Sequence, residues 1–167
     1  QVGRIVSVAG MAAVLAVLPA PAHSASPSPQ PLARALSYAD LADLAIPATL
    51  VIKSQIRKQS PLKPEQSPKL RPGWVRLYVE AQTQALITGA SAIGESLTYL
   101  VDVPLDARGK VPKLKKQVVI LFANPVVGHP EQLRLVDVDA QIPADPETEA
   151  RVRSLAAELV ARDAPPA

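Results

Sequence analysis

The chain has 167 residues, enough for one domain with flanking segments, and it contains no cysteine. Disulfides, thiolate nucleophiles, thiolate metal sites and a lipid-modified cysteine are therefore excluded. The formal net charge of +3 reflects 18 basic and 15 acidic residues, and aromatic residues make up only 3%, which disfavours a base-stacking surface for nucleic acid.

Residues 1–25 have the pattern of a secretory signal peptide. Arg4 precedes the apolar run Ile5–Leu18, and Ala20–Ala22 supplies an A-x-A cleavage site. The run is shorter than the roughly 20 apolar residues that a membrane span needs, so cleavage is favoured over an uncleaved anchor, which stays open as the alternative. Because the chain begins with Gln and has one basic residue before the run, we expect residues to be missing upstream. The predicted localisation is periplasmic or secreted, with no stable membrane span after cleavage.

Residues 26–35 are rich in proline and serine, which predicts a disordered linker. Residues 36–163 form the single predicted domain. It opens with a short helix over 36–45, in which Ser37 and Asp40 resemble a capping box although glutamate or glutamine is the usual partner of the serine.

Five segments then show the patterns of β-strands, and the second is the longest. In this segment the odd-numbered residues from Val75 to Ile87 are apolar or small, whereas polar and aromatic residues occupy the even positions from Trp74 to Gln84. The fourth segment is apolar at consecutive positions, which predicts burial on both faces. The five predicted strands cover 49–58, 73–89, 95–104, 117–123 and 132–138.

The domain closes with an amphipathic helix. Asp145 is the expected N-cap, Pro146 the first helical residue, and apolar residues at helical spacing form one stripe. The stripe consists of Val152, Leu155, Ala156, Leu159 and Val160. The order of helix, five strands and helix predicts a mainly β fold. We expect a five-stranded antiparallel small barrel of the oligonucleotide/oligosaccharide-binding (OB) type, with a short N-terminal helix and a C-terminal amphipathic helix.

Three segments resemble the OB-like core of netrin-like and tissue-inhibitor-of-metalloproteinase-like domains. They are the long strand Val79–Gly89, the hairpin Pro104–Gly109 and the apolar strand Val118–Phe122. The resemblance implies an OB-like barrel over roughly residues 49–138. It implies no inhibitory mechanism, because the N-terminal cysteine that those inhibitors use is absent here.

The whole chain also resembles small exported proteins of unassigned function from sphingomonad-type alphaproteobacteria. The segments that carry this second resemblance are Tyr38–Leu44, Tyr78–Ala81 and Val103–Gly109. It implies an envelope location and no particular activity.

Two surfaces are candidate binding sites. The first is the polar face of the long strand, and its members are Trp74, Arg76, Tyr78 and Glu80. The second, called here the basic arm, consists of Arg108, Lys110, Lys113, Lys115 and Lys116. With Lys63, Lys69 and Arg71 the basic arm would form one positive end of the barrel. Both patterns are also typical of a solvated sheet face and a solvated hairpin tip.

Catalytic, cofactor and metal sites are not predicted. Asp102, Asp106, Asp137 and Asp139 would meet if the third and fifth strands were neighbours, but each also has an ordinary role in a turn or at the surface. His129 is the one histidine after the predicted signal, and a single turn histidine does not make a zinc site. No nucleophile motif or phosphate-binding glycine loop is present.

The sequence therefore favours an exported, non-enzymatic binding module without a cofactor. Its expected partner is a protein or an anionic component of the envelope rather than nucleic acid. The alternative is a small periplasmic hydrolase or carbohydrate-binding protein that uses clustered carboxylates.

Overall fold

A computed structural model describes residues 36–90 and 92–165. The signal peptide and the linker predicted over 1–35 lie outside the described residues. The helices are α1 (Tyr38–Ala45) and α2 (Pro146–Asp163), with a short 3-10 helix at Pro64–Gln66. The strands are β1 (Leu50–Pro61), β2 (Trp74–Thr88), β3 (Ser96–Pro104), β4 (Val118–Val126), β5 (His129–Leu135) and β6 (Gln141–Pro143).

The strands form a small closed barrel with the order β1-β2-β3-β5-β4, and β4 pairs back to β1. The predicted small barrel with two helices is therefore confirmed. The prediction that all its strands are antiparallel is wrong, because β3 and β5 pair in parallel. A closed ring of five strands cannot reverse direction at every step, since five is an odd number. One neighbouring pair must run in parallel.

β2 is the shared wall of the barrel. It pairs with β1 from Leu77 to Thr88 and with β3 from Trp74 to Gln82. Its apolar residues Leu77, Val79 and Ala81 are buried, as the alternation predicts. The even-numbered face of β2 points out of the barrel and carries the predicted polar surface.

β4 is buried along both faces, as predicted. Leu121 partners Ile52 of β1, and Phe122 partners Val51 on the opposite face. The face of Phe122 also carries Lys53 of β1, whose Nζ lies 2.7 Å from Oε2 of Glu149 in α2. This contact places α2 beside the outer side of β1, and the side chains of β4 from Val119 to Ala123 are buried on both faces.

Two short elements were not predicted from the sequence, the 3-10 helix and β6, and the fifth strand lies three residues earlier than predicted. β5 begins at His129, since the pairing of Val126 with His129 brings that histidine from the predicted turn into the ladder. β6 lies between the predicted fifth strand and the predicted C-terminal helix, where the sequence predicts no element. It extends the edge of β4, and its Gln141 accepts a hydrogen bond of 2.6 Å from the buried Tyr99 hydroxyl of β3. Burial raises the pKa of Tyr99 above its ordinary value, which keeps this hydroxyl protonated as a donor.

The helix ends follow the sequence prediction. In α1 the Ser37 hydroxyl accepts from the backbone N–H of Asp40, and the Asp40 carboxylate accepts from the N–H of Ser37, so aspartate completes the capping box. In α2 Val152, Leu155 and Ala156 are buried, whereas Val160, the last residue of the predicted stripe, is exposed. Neither helix, among the residues that the structure describes, is long and apolar enough to cross a membrane.

The stability of α2 should depend on pH through its cap. The hydroxyl of Thr148, followed by its backbone N–H, lowers the pKa of Asp145. A carboxyl with a lowered folded-state pKa stabilises the fold above its unfolded-state pKa, and this contribution is lost as pH falls through the folded-state value. We expect Asp145→Ala to lower the urea midpoint at pH 7, with a difference from wild type that shrinks below about pH 4. The control Asp163→Ala, at the other end of α2, should show no such loss.

The barrel interior should dominate stability. Leu121 is fully buried at 0% exposure, whereas Leu86 on β2 is 38% exposed. Leu121→Ala removes packed methyl groups and leaves a cavity, so we expect a loss of about 2–5 kcal/mol in the free energy of unfolding. The same change at Leu86 should alter it by about 0.5 kcal/mol or less. Urea denaturation of both variants checks this, and equal losses would contradict the assignment of the core.

Candidate functional site

The outward side chains of β2 and β3 lie opposite one another in cross-strand rows. The paired positions are Arg76 and Asp102, Tyr78 and Leu100, and Glu80 and Thr98. β5 continues the last row, because Gln132 partners Thr98 in the parallel ladder. The polar face that the sequence assigned to one strand is thus a three-stranded surface.

A groove of about 690 Å³ runs along this surface beside β5. It exists because β3 and β5 pair only at Thr98↔Gln132 and Tyr99↔Leu133 and then separate. β3 meets the segment that follows β5 where the backbone N–H of Asp102 donates to the carbonyl of Val138 at 2.7 Å. Between these two points β3 advances three residues, from Tyr99 to Asp102. The opposing segment advances five, from Leu133 to Val138, so it is the longer of the two and forms one wall of the groove.

A bidentate ion pair forms part of the groove lining. The Nε and Nη2 of Arg76 lie 2.6 and 2.9 Å from the two carboxylate oxygens of Asp102. The pair is well shielded, with side-chain exposures of 14% for Arg76 and 3% for Asp102. Hydrogen bonding to Asp102 raises the pKa of Arg76 still further, so the guanidinium stays charged. Arg76, predicted as a ligand-binding residue, is committed to this internal pair.

Four other polar side chains of the groove are unpaired among the described residues, whereas those of Tyr99 and Asp137 each make a hydrogen bond. Tyr78, Thr98, Gln132 and Arg134 all line the groove, and none of their side chains has a hydrogen-bond or ion-pair partner within residues 36–90 and 92–165. Tyr78 was predicted from the sequence. The other three were missed because they lie on strands whose adjacency the sequence does not reveal, although alternation along each strand marks them as outward-facing.

Trp74 and Glu80, the remaining members of the predicted face, are already engaged. The guanidinium of Arg71 lies 3.5 Å from the ring centroid of Trp74, and it also pairs with Asp139 at 3.0 Å. Glu80 lies 3.4 Å from Nζ of Lys58. Neither Trp74 nor Glu80 lines the groove, so the structure divides the predicted face into two parts.

The basic arm is fixed against β1. The side-chain amide of Gln59 donates to the carbonyl of Pro112 at 2.8 Å and accepts from the backbone N–H of Leu114 at 2.6 Å. The N–H of Lys116 donates to the carbonyl of Ile56 at 2.8 Å. The backbone of the basic arm is therefore held by hydrogen bonds to β1, and its cationic side chains are all exposed.

The basic arm begins with a turn from Asp106 to Gly109, in which the N–H of Gly109 donates to the carbonyl of Asp106. Oδ1 of Asp106 accepts from the backbone N–H groups of Arg108 and Lys110, both at 2.8 Å. Gly109 has φ of +72°, the left-handed conformation that glycine adopts without a Cβ penalty. This geometry aims Arg108 and Lys110 into solvent.

The basic arm shares one end of the barrel with the β1–β2 connection. The N–H of Leu105 donates to the carbonyl of Gly73 at 2.9 Å, which joins the two connections at their bases. Lys63 and Lys69 lie on the β1–β2 connection and are exposed. The topology thus brings together the segments that the sequence grouped as a positive end, although Arg71 is neutralised by Asp139.

The four aspartates do not form a joint site. The groove contains Asp102 and Asp137, but both oxygens of Asp102 are held by Arg76. Asp106 and Asp139 serve a turn and an ion pair elsewhere. No cluster of three or more acidic or histidine side chains suited to a metal ion occurs in the part of the chain that the structure describes. His129 lies 3.6 Å from Glu131 on the exposed start of β5.

No protein-family model matches the chain, and no curated protein sequence matches it at a significant level. The fold is a small closed β-barrel domain with two helices, a groove on one wall and the basic arm at one end.

The ion pair at the groove should matter for stability. Asp102→Asn removes the charge that compensates Arg76, and we expect a loss of about 3 kcal/mol in the free energy of unfolding, the range for breaking a shielded pair. Glu80→Gln breaks the exposed pair with Lys58 and should cost about 1 kcal/mol or less. Urea denaturation distinguishes the two variants. If Asp102→Asn lost no more than Glu80→Gln, the pair would not be a structural element of the groove.

Proposed function

We propose that this chain is an exported, non-enzymatic binding module whose basic arm attaches it to an anionic surface of the cell envelope. The observation that carries the proposal is that the cations of the basic arm are close together and have no carboxylate partner among the described residues. Its five cations lie within nine residues, and none of them takes part in an ion pair within the described part of the chain.

The contrast with other cations supports this choice of surface. Lys53, Lys58 and Arg71 each pair with a carboxylate of the fold, as do the arginines in the first turns of α2. Most cations that remain unpaired among the described residues lie at the end of the barrel that holds the basic arm, where Lys63 and Lys69 join the arm. A concentrated potential of one sign attracts polyanions and is screened by salt.

The fixed backbone of the arm favours binding as well. Gln59 and the Ile56 carbonyl hold the arm in place before any ligand arrives. Less backbone entropy is then lost on association than a flexible basic tail would lose. Each lysine or arginine brought to an anionic membrane surface contributes about 1 kcal/mol, so five adjacent cations give useful affinity without a deep pocket.

Nucleic acid is a poorer match for the same surface. Proteins that bind single strands combine positive charge with exposed aromatic platforms. Here one ring of that kind, Trp74, stacks against Arg71, and Tyr78 lies on the groove instead. The carboxylate hypothesis is also less well supported, because Asp102, Asp106 and Asp139 are each engaged in internal contacts.

The proposal predicts binding to anionic vesicles. The full chain should cosediment with vesicles containing phosphatidylglycerol and not with vesicles of phosphatidylcholine alone. Replacing Lys113, Lys115 and Lys116 with Gln should lower the partition coefficient about a hundredfold, since three cations contribute about 1 kcal/mol each.

The matched control removes the same charge from α2, with Arg151, Arg153 and Arg162 changed to Gln. This variant should keep most of the binding. Equal losses in the two triple variants would show that net charge rather than the basic arm governs binding. Equal binding to neutral vesicles would overturn the electrostatic proposal.

A further inference from the structure

We propose that the groove between β3 and β5 binds a short, apolar peptide with free termini. Its carboxylate would lie on Arg134 and its ammonium group on Asp137. This site is separate from the basic arm and does not depend on the function proposed for it.

The groove is a built feature of the barrel. Its floor opens where the parallel pairing ends after Tyr99↔Leu133, and its far side closes at the hydrogen bond from Asp102 to Val138. The opening follows from the different chain lengths between these two points rather than from the position of a mobile side chain. Its volume of about 690 Å³ lies within the range of small-molecule sites, roughly 300–1,000 Å³.

The walls of the groove are suited to an apolar ligand body. Leu100 and Val138 both line the groove and are both 45% exposed, which is high for large apolar side chains of a barrel wall. Val136, on the same wall as Val138, also lines the groove and is half-buried. Covering these side chains with aliphatic ligand groups would remove apolar surface from water.

The charges of the groove select a zwitterion. Arg76 and Asp102 neutralise one another through two hydrogen bonds and leave no net charge for a ligand. Arg134 and Asp137 also line the groove, but they form no ion pair with each other or with another described residue. One cation and one anion therefore remain for a ligand that carries one charge of each sign.

The remaining polar groups match a peptide backbone. One carboxylate oxygen of Asp137 accepts from the N–H of Val138 at 2.7 Å, which orients the carboxylate and leaves the other oxygen for an ammonium donor. Thr98 and Gln132 are adjacent across the parallel ladder, and the Gln132 amide offers both a donor and an acceptor. A peptide group placed over this pair would find a hydrogen-bond partner for its N–H and for its carbonyl.

The test pairs each charged residue with the ligand group that it would bind. Trileucine, its N-acetyl form and its C-terminal amide are titrated into ¹⁵N-labelled full chain, and the amide shifts of Leu100 and Val138 are followed. Arg134→Gln should weaken free trileucine about tenfold and leave the C-terminal amide form unchanged. Asp137→Asn should weaken free trileucine to a similar extent and leave the N-acetyl form unchanged.

The controls separate this site from the basic arm. Lys113→Gln should leave trileucine binding unaltered, and Arg134→Gln should leave vesicle binding unaltered. Both groove residues are exposed, and unchanged urea midpoints would confirm that their variants are folded. No saturable shift with millimolar trileucine, or equal weakening of all three peptides by each variant, would overturn the proposal.

Discussion

Closure of a five-stranded ring is the constraint on which the rest of this structure depends. Four neighbouring pairs are antiparallel, so the fifth, β3 with β5, must run in parallel. That pair extends over only two residue positions before the strands part. The shortest pairing in the ring is therefore also the place where a groove opens. One wall of the groove is the segment after β5, which diverges from β3 where the pairing ends.

Closure of the ring also buries β4. The strand is paired with β1 on one side and with β5 and β6 on the other, so its backbone groups are satisfied within the sheet. Its side chains from Val119 to Ala123 are buried on both faces. The ion pair between Lys53 and Glu149 joins β1 to α2. The barrel is the platform for both candidate surfaces.

Charge is distributed unevenly over this platform. On the sheet, cations meet carboxylates across strands or from α2, as Arg76 meets Asp102. On the basic arm, hydrogen bonds between Gln59 and the backbone hold the chain in place, while the cationic side chains form no ion pair with any described residue. In the groove, Arg134 and Asp137 likewise form no ion pair within the part of the chain that the structure describes, but they are opposite in sign. One surface suits a polyanion and the other a zwitterion, and the two proposals are chemically independent.

The sequence by itself determined the local elements, because helix caps and side-chain alternation act over a few residues. Ser37 with Asp40, Asp145, and the alternation around Val79 all have the predicted roles. The turn at Asp106 and the exposed cations of the basic arm were likewise predictable, since they need no distant partner. Only the tertiary structure decided which strands are neighbours. That choice paired Arg76 with Asp102, placed Gln132 beside Thr98 and added β6, because these contacts join residues far apart in the chain. The candidate groove depends on such contacts alone, so no local sequence pattern predicts it.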